Sequence, residues 1–129
     1  MKSSLQKHSI HFMPGRGART IETGDASFWD QLSHGAFPEL DSGRLMVEFA
    51  FGEPWKVWEM HPHGEELVLL LAGRATLFCE VESKVHSYRL ELPGEYVLVP
   101  RGAWHTADTE IQTRMLFLTP GKDTQHRPR

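Results

Sequence analysis

The sequence is poor in the features that would place it in several large classes. It has one cysteine, Cys79, in 129 residues. No internal disulfide can form, and nothing points to an oxidising compartment. Its longest apolar run, Leu67 to Ala72, is six residues, far short of the roughly 20 that a membrane-crossing helix needs. Positive charge is also scarce: 14 Lys and Arg stand against 17 Asp and Glu, a formal net charge of −3. That balance is the wrong sign for a nucleic-acid binder, so no nucleic-acid or membrane partner is expected. The opening residues, MKSSLQKHSIHFMPG, lack the apolar core of a secretory signal, and cytoplasmic residence is the expectation. No stretch keeps an apolar period of 3.6 long enough for an extended helix, and no internal repeat or low-complexity block is present.

What remains is an ordinary globular composition, 40% hydrophobic, in a chain of a length that suits one domain. Such a domain buries roughly two thirds of its unfolded surface and stands without disulfides. Residues 1 to 43 are mixed in texture, and only Ser27 to Leu32 (SFWDQL) hints at a helix, with Ser27 as cap. This segment is expected to be an arm that brings Phe28, Trp29 and Phe37 against the body. From Arg44 onward short alternating segments are broken by turn residues: RLMVEFAF, WKVWEM, ELVLLLA, ATLFCEV, VHSYRLEL, EYVLV, HTADTE and TRMLFLT. Many short strands at this spacing indicate an all-β sandwich or barrel over residues 44 to 119. Residues 120 to 129, PGKDTQHRPR, read as a polar tail, loose or folded over the surface.

Alternation also assigns faces. In WKVWEMHPH, Trp55, Val57, Glu59 and His61 share one side, and Lys56, Trp58 and Met60 the other. If the first set faces inward, Trp58 and Met60 need cover from the arm or from a second subunit. That need is one motive for expecting a homodimer.

Two stretches carry candidate chemistry. HPHGEELVLLLAG holds His61, His63, Glu66 and Gly73, and PGEYVLVPRGAWHTADT holds Gly94, Pro100, Gly102 and His105. Imidazoles aimed from one strand face, a carboxylate on the next strand and a distant histidine can close on a common centre. Mixed nitrogen and oxygen ligation of this kind suits Fe, Mn, Ni or Zn as the divalent ion. These stretches resemble the two signature motifs of the cupin superfamily. In the second, Gly94, Pro100, Gly102 and His105 fall at the expected intervals, and Thr109 stands where the family commonly has Asn. In the first, the gap from Glu66 to Gly73 fits, but only two residues separate His63 from Glu66.

The resemblance spans about Arg44 to Thr119. It implies a double-stranded β-helix, or jelly roll, a cupin barrel with an N-terminal arm, the metal near its mouth, and dimers. It leaves two ligand sets open. Either His61 and His63 are the paired histidines with a shortened turn, or Glu59 and His61 take those places with four residues before Glu66. Both share His61, Glu66 and His105. The implied function is a metal-binding protein that takes a small polar metabolite, as an oxygenase- or isomerase-type enzyme. A non-enzymatic sensing module acting through a protein partner is the alternative. A storage or purely structural role is disfavoured by the single short domain.

The other candidates receive plainer readings. Glu65 is expected to be solvated, Trp104 to line the pocket or cover its rim, and Arg74 and Arg101 to be rim charges. Cys79, in mid-strand, is expected to be buried and inert. His8, His11, His34, His86 and His126 show no partner pattern and are expected at the surface. No nucleophile-elbow pattern supports a hydrolase triad.

Overall fold

The computed structural model describes residues 2–23 and 27–129. Its strands are β1 (His8–Phe12), β2 (Ala18–Glu22), β3 (Arg44–Phe51), β4 (Val57–Met60), β5 (Glu66–Ala72), β6 (Ala75–Val81), β7 (Lys84–Leu90), β8 (Tyr96–Val99), β9 (Trp104–Asp108), β10 (Thr113–Thr119) and β11 (Gln125–Pro128). A helix α1 (Ser27–Ser33) and a 3-10 turn (Pro38–Leu40) lie between β2 and β3. The strands RLMVEFAF, ELVLLLA, ATLFCEV and TRMLFLT have the bounds expected from their turn residues, and the other four differ by one or two residues at one or both ends.

The strands form two antiparallel sheets in the orders β2-β1-β3-β10-β5-β8 and β11-β4-β9-β6-β7. From β3 to β6 the chain changes sheet at every step, and it does so again from β7 to β11. The result is an all-β, jelly-roll arrangement of cupin-like form. Alternation decides what fills the space between the sheets. Val68 and Leu70 of β5, Leu77 and Cys79 of β6, and Met115 and Phe117 of β10 point inward and are buried. Their immediate neighbours along each strand are only partly covered.

The turn from β5 to β6 depends on glycine. Gly73 has φ +83°, and a Cβ there would sit 2.6 Å from the carbonyl oxygen of Gln112. Thr109 secures the same end: its hydroxyl lies 2.7 Å from the Arg74 carbonyl oxygen and 2.9 Å from the Thr113 hydroxyl. With this turn fixed, β5 runs back to place Glu66, its first residue, at the other end of the sheet, roughly 20 Å away at about 3.3 Å per residue.

Two parts of the chain are more ordered than their composition suggests. The expected arm contributes the β1–β2 hairpin, with β1 paired to β3 through Ile10 opposite Met46. His11 is therefore buried, not at the surface; its Nε2 lies 2.6 Å from the Ser42 carbonyl oxygen, and Arg19 Nε donates to its Nδ1. Phe28 packs in the core with Phe37 at 5.2 Å between ring centroids, while the side chain of Trp29 lies outside the described residues. The expected loose tail is β11, which pairs residue for residue with β4. The open edge of β4 explains this, because its unpaired N–H and C=O groups bind any strand that reaches them.

The tail also supplies the cover that Trp58 needs. Arg127 places its guanidinium 5.2 Å from the Trp58 ring and 4.6 Å from the Trp104 ring, and its Nη2 lies 2.5 Å from Glu80 Oε2. Arg129 bonds Asp108 and the Trp55 carbonyl oxygen. Trp58 is thus covered from within its own chain. Two partly exposed cation–π contacts and one half-exposed ion pair are together worth about 1–2 kcal/mol. Arg127→Ala is therefore expected to lower the melting temperature by roughly 3–7 °C, read by thermal circular dichroism. An unchanged transition would show that β11 adds nothing to stability.

Candidate metal centre

Glu59, His61, Glu66 and His105 converge between the sheets, each offering a ligand atom within 4.8 Å of the others. Their positions follow from register. Glu59 of β4 is directly opposite His105 of β9, and Cys79 of β6 is opposite His105 on the other side. Residues opposite one another across antiparallel strands share a face, so Glu59, His105 and Cys79 all project inward. His61 follows one residue after the end of β4 and keeps the inward phase. Glu66 approaches from the other sheet. His61, Glu66 and His105 are 3%, 2% and 0% exposed, whereas Glu59 is only partly covered.

Hydrogen bonding fixes how the two imidazoles present themselves. His105 Nδ1 lies 3.2 Å from the Ala103 carbonyl oxygen, to which only an N–H can donate. His61 Nδ1 lies 2.9 Å from Thr124 Oγ1, whose own proton goes to the Gly121 carbonyl oxygen. Each ring thus donates through Nδ1 and turns Nε2 toward the cluster. Thr119 donates to Glu66 Oε2 at 2.5 Å. In the cluster itself, His61 Nε2 is 3.1 Å from Glu59 Oε1 and 3.0 Å from Glu66 Oε2, and His105 Nε2 is 2.9 Å from Glu66 Oε1. Apart from these ion-pair contacts, His61 Nε2, His105 Nε2 and Glu66 Oε1 have no hydrogen-bond partner.

Three buried polar atoms held only by one another are a costly arrangement. It is also what a metal site needs, since ligand lone pairs point at the ion and not at one another. Donors about 2.0–2.2 Å from one ion and at right angles are about 2.8–3.1 Å apart, which matches the three separations above. The residues present therefore fit a divalent metal, through two imidazole nitrogens and two carboxylates.

The electrostatics agree. Burial opposes charge on both histidines, but the carboxylates outweigh it. Glu59 and then Glu66 push His61 up to about 10, and Glu66 raises His105. Burial likewise opposes charge on Glu66, yet the His105 and His61 rings hold it below the usual carboxylate range. For Glu59, the same opposition is overcome by His126 and His61. Without a metal, the centre balances two imidazolium charges against two carboxylates.

His63, the other candidate for the fourth ligand, is outside the cluster. It is exposed, with Nε2 2.7 Å from Asp123 Oδ2. Three residues near the centre escape a reading of the sequence. Thr119 has a signal in the alternation of TRMLFLT, which places it inward with Phe117. Thr124 and His126 have none, because they reach the site only through the pairing of β11. His126 is exposed, as expected, but has a partner: it lies opposite Glu59, with Nε2 3.8 Å from Glu59 Oε2. Cys79 is buried as expected; burial first, and then Glu66, push its thiol up to about 11. A cavity of about 910 Å³ has Glu59, His61 and Glu66 on its wall, together with Thr119, Thr124 and His126.

No protein-family model matches the chain, and no curated protein does. Among solved structures it is similar to Peruvianin-I, a cysteine peptidase from Thevetia peruviana latex, at 17% identity over 67% of this chain and 56% of that one, with a TM-score of 0.56. It is also similar to oxalate oxidase, at 19% identity over 64% of this chain and 44% of that one, with a TM-score of 0.52. Oxalate oxidase in complex with the substrate analogue glycolate gives the same coverage and a TM-score of 0.53. The chain thus spans about half the length of the structures it matches. At these identities the likeness is one of fold, which is cupin-like. One fold carries an oxidase and a peptidase, so chemistry has to be argued from the site. The buried Cys79 thiol, held protonated, is no nucleophile.

The charge balance sets the pH response. The raised histidines stabilise the metal-free fold fully below about pH 6.5, and that contribution is lost as pH rises through His61's value of about 10. The lowered carboxylates contribute above about pH 4.5 and lose their contribution as pH falls toward their folded values. A metal must displace the imidazolium protons, so its binding strengthens with pH. The metal-free protein should melt lower at pH 9 than at pH 6, and the upward shift on adding Zn(II) should grow between pH 6 and pH 8. Scanning fluorimetry checks both; a shift that shrinks with pH would contradict ligation by these histidines.

Proposed function

We propose that the protein holds one divalent ion, Fe, Mn, Ni or Zn, through His61, His105, Glu66 and Glu59, and acts as an oxygenase- or isomerase-type enzyme on an oxygen-bearing organic molecule. The observation that carries this reading is the convergence of two imidazole nitrogens and two carboxylates, three of the four residues buried, with ligand atoms within 4.8 Å of one another. A bound ion of this kind supplies Lewis acidity toward an oxygen donor. The protein's own groups do the rest. Ala103 and Thr124 hold the two rings in the tautomer that presents Nε2, and Thr119 restrains Glu66. Such hydrogen bonds behind the ligands set their direction and basicity. Glu59 is the most accessible carboxylate of the set and borders the cavity. It would be the ligand on the open side of the ion, with His126 behind it.

Metal analysis and turnover test the reading together. Purified protein should carry close to one equivalent of metal, and Glu66→Gln and His105→Ala should each lower affinity at least tenfold while the fold persists. Glu59→Gln, at the most exposed of the four ligands, should lower affinity less than either. Failure to take up stoichiometric metal on reconstitution would overturn the proposal. Full loading without turnover across an oxygen-bearing substrate panel would favour a binding or sensing module.

Pairing with a second copy is part of the same proposal. The outer face of the larger sheet carries an in-register row of Ile10, Met46, Leu118, Leu67 and Leu98 across five strands. Leu98 is 57% exposed at its edge. A contiguous apolar face of this kind is uncommon on a monomer. Sedimentation should give about twice the chain mass of 14.8 kDa, and Leu98→Lys should shift the protein toward the monomer. A monomer at micromolar concentration would contradict the pairing.

A further inference from the structure

The cavity is divided in a way that bears on what it takes, an inference that rests on the metal reading above. Around the cluster its wall is polar, with Thr119, Thr124 and His126 beside Glu59, His61 and Glu66. Elsewhere it is mainly apolar, with Gln112 and the unpartnered indole N–H of Trp55 as uncharged polar groups. Phe49, Phe51, Trp55 and Phe117 form a chain of rings, with Phe49 and Phe51 stacked at 5.7 Å, Phe51 and Trp55 edge-on at 5.9 Å, and Trp55 and Phe117 at 5.8 Å. Leu45 and Val47 extend that surface. The remaining charged wall residues, Glu53 and Lys56, are exposed. A volume of about 910 Å³ lies in the upper part of the roughly 300–1,000 Å³ used for organic ligands of drug size. A small polar metabolite would leave most of these walls against water.

Charge narrows the class further. Two carboxylates, Glu59 and Glu66, neutralise a divalent ion completely. Among the wall residues the one lysine or arginine is Lys56, which is exposed, so no buried Lys or Arg balances a second negative charge. A dicarboxylate bound at such a centre would be a buried, uncompensated anion. We infer that the site takes an amphipathic substrate: an aromatic or branched apolar body of more than about ten heavy atoms, ending in a neutral or singly charged oxygen donor that meets the His61–Glu66–His105–Glu59 cluster. The metabolite expected to be polar is thus polar at one end only.

Three two-oxygen chelators separate the possibilities by calorimetry on the Zn(II)-loaded protein. Acetohydroxamate has the donor without the body, 4-butylbenzohydroxamate has both, and oxalate is a small dianion. Each buried methylene is worth roughly fourfold in affinity, so 4-butylbenzohydroxamate should bind about 100-fold more tightly than acetohydroxamate. Oxalate should be the weakest of the three. Phe49→Ser, at a half-exposed position on the apolar wall, should weaken the butylbenzo compound about tenfold, leave acetohydroxamate unchanged and keep the zinc stoichiometry. The two hydroxamates are also compared on metal-free protein, where the walls alone must still prefer the larger one. Similar affinities for the two, or tightest binding by oxalate, would overturn the inference. Absence of stoichiometric zinc, with the apolar preference intact, would overturn the metal reading and leave this one standing.

Discussion

Everything functional in this fold depends on four polar side chains forced together between two apolar sheets. Burying a carboxylate or an imidazolium singly costs several kcal/mol. Glu66, His61 and His105, all nearly inaccessible, are tolerated because opposite charges neutralise one another and because each ring has its outward nitrogen satisfied. The inward atoms have only one another as partners. An ion at their common focus would convert that cost into binding energy. The site is therefore a place where stability and metal affinity draw on the same groups, and where protons and metal compete.

The β architecture places these groups with economy. Cross-strand register puts Glu59 and His105 side by side on the smaller sheet, and the glycine turn at Gly73 returns β5 so that Glu66 comes from the larger one. The last strand closes the arrangement. Thr124 orients His61, His126 backs Glu59, and Arg127 is clamped between Trp58 and Trp104 on the outer face. One short strand thus joins surface packing to the orientation of a buried ring.

Much of this was legible before any coordinates. Alternation in TRMLFLT and ELVLLLA defined both strands and their buried faces, because one side of each must leave water and the period of a strand is two. The same alternation put Glu59 in phase with His61, and His63, two residues further into the turn, has left the strand and pairs with Asp123 at the surface. The role of the tail was not legible. PGKDTQHRPR has the composition of a loop, and it becomes a strand only because β4 has an open edge beside it. His11 was hidden for a similar reason, since its burial comes from β1 joining β3 and not from any local pattern. Local sequence carries period and turn chemistry; it does not carry which edges meet.

The central claim is that two imidazoles and two carboxylates share one ion. X-ray absorption spectroscopy of the metal-loaded protein tests it most directly. Two histidine nitrogens among oxygen neighbours, all at about 2.0–2.2 Å, is the predicted first coordination sphere, falling to one histidine in His105→Ala. An all-oxygen environment, unchanged by that substitution, would contradict the account.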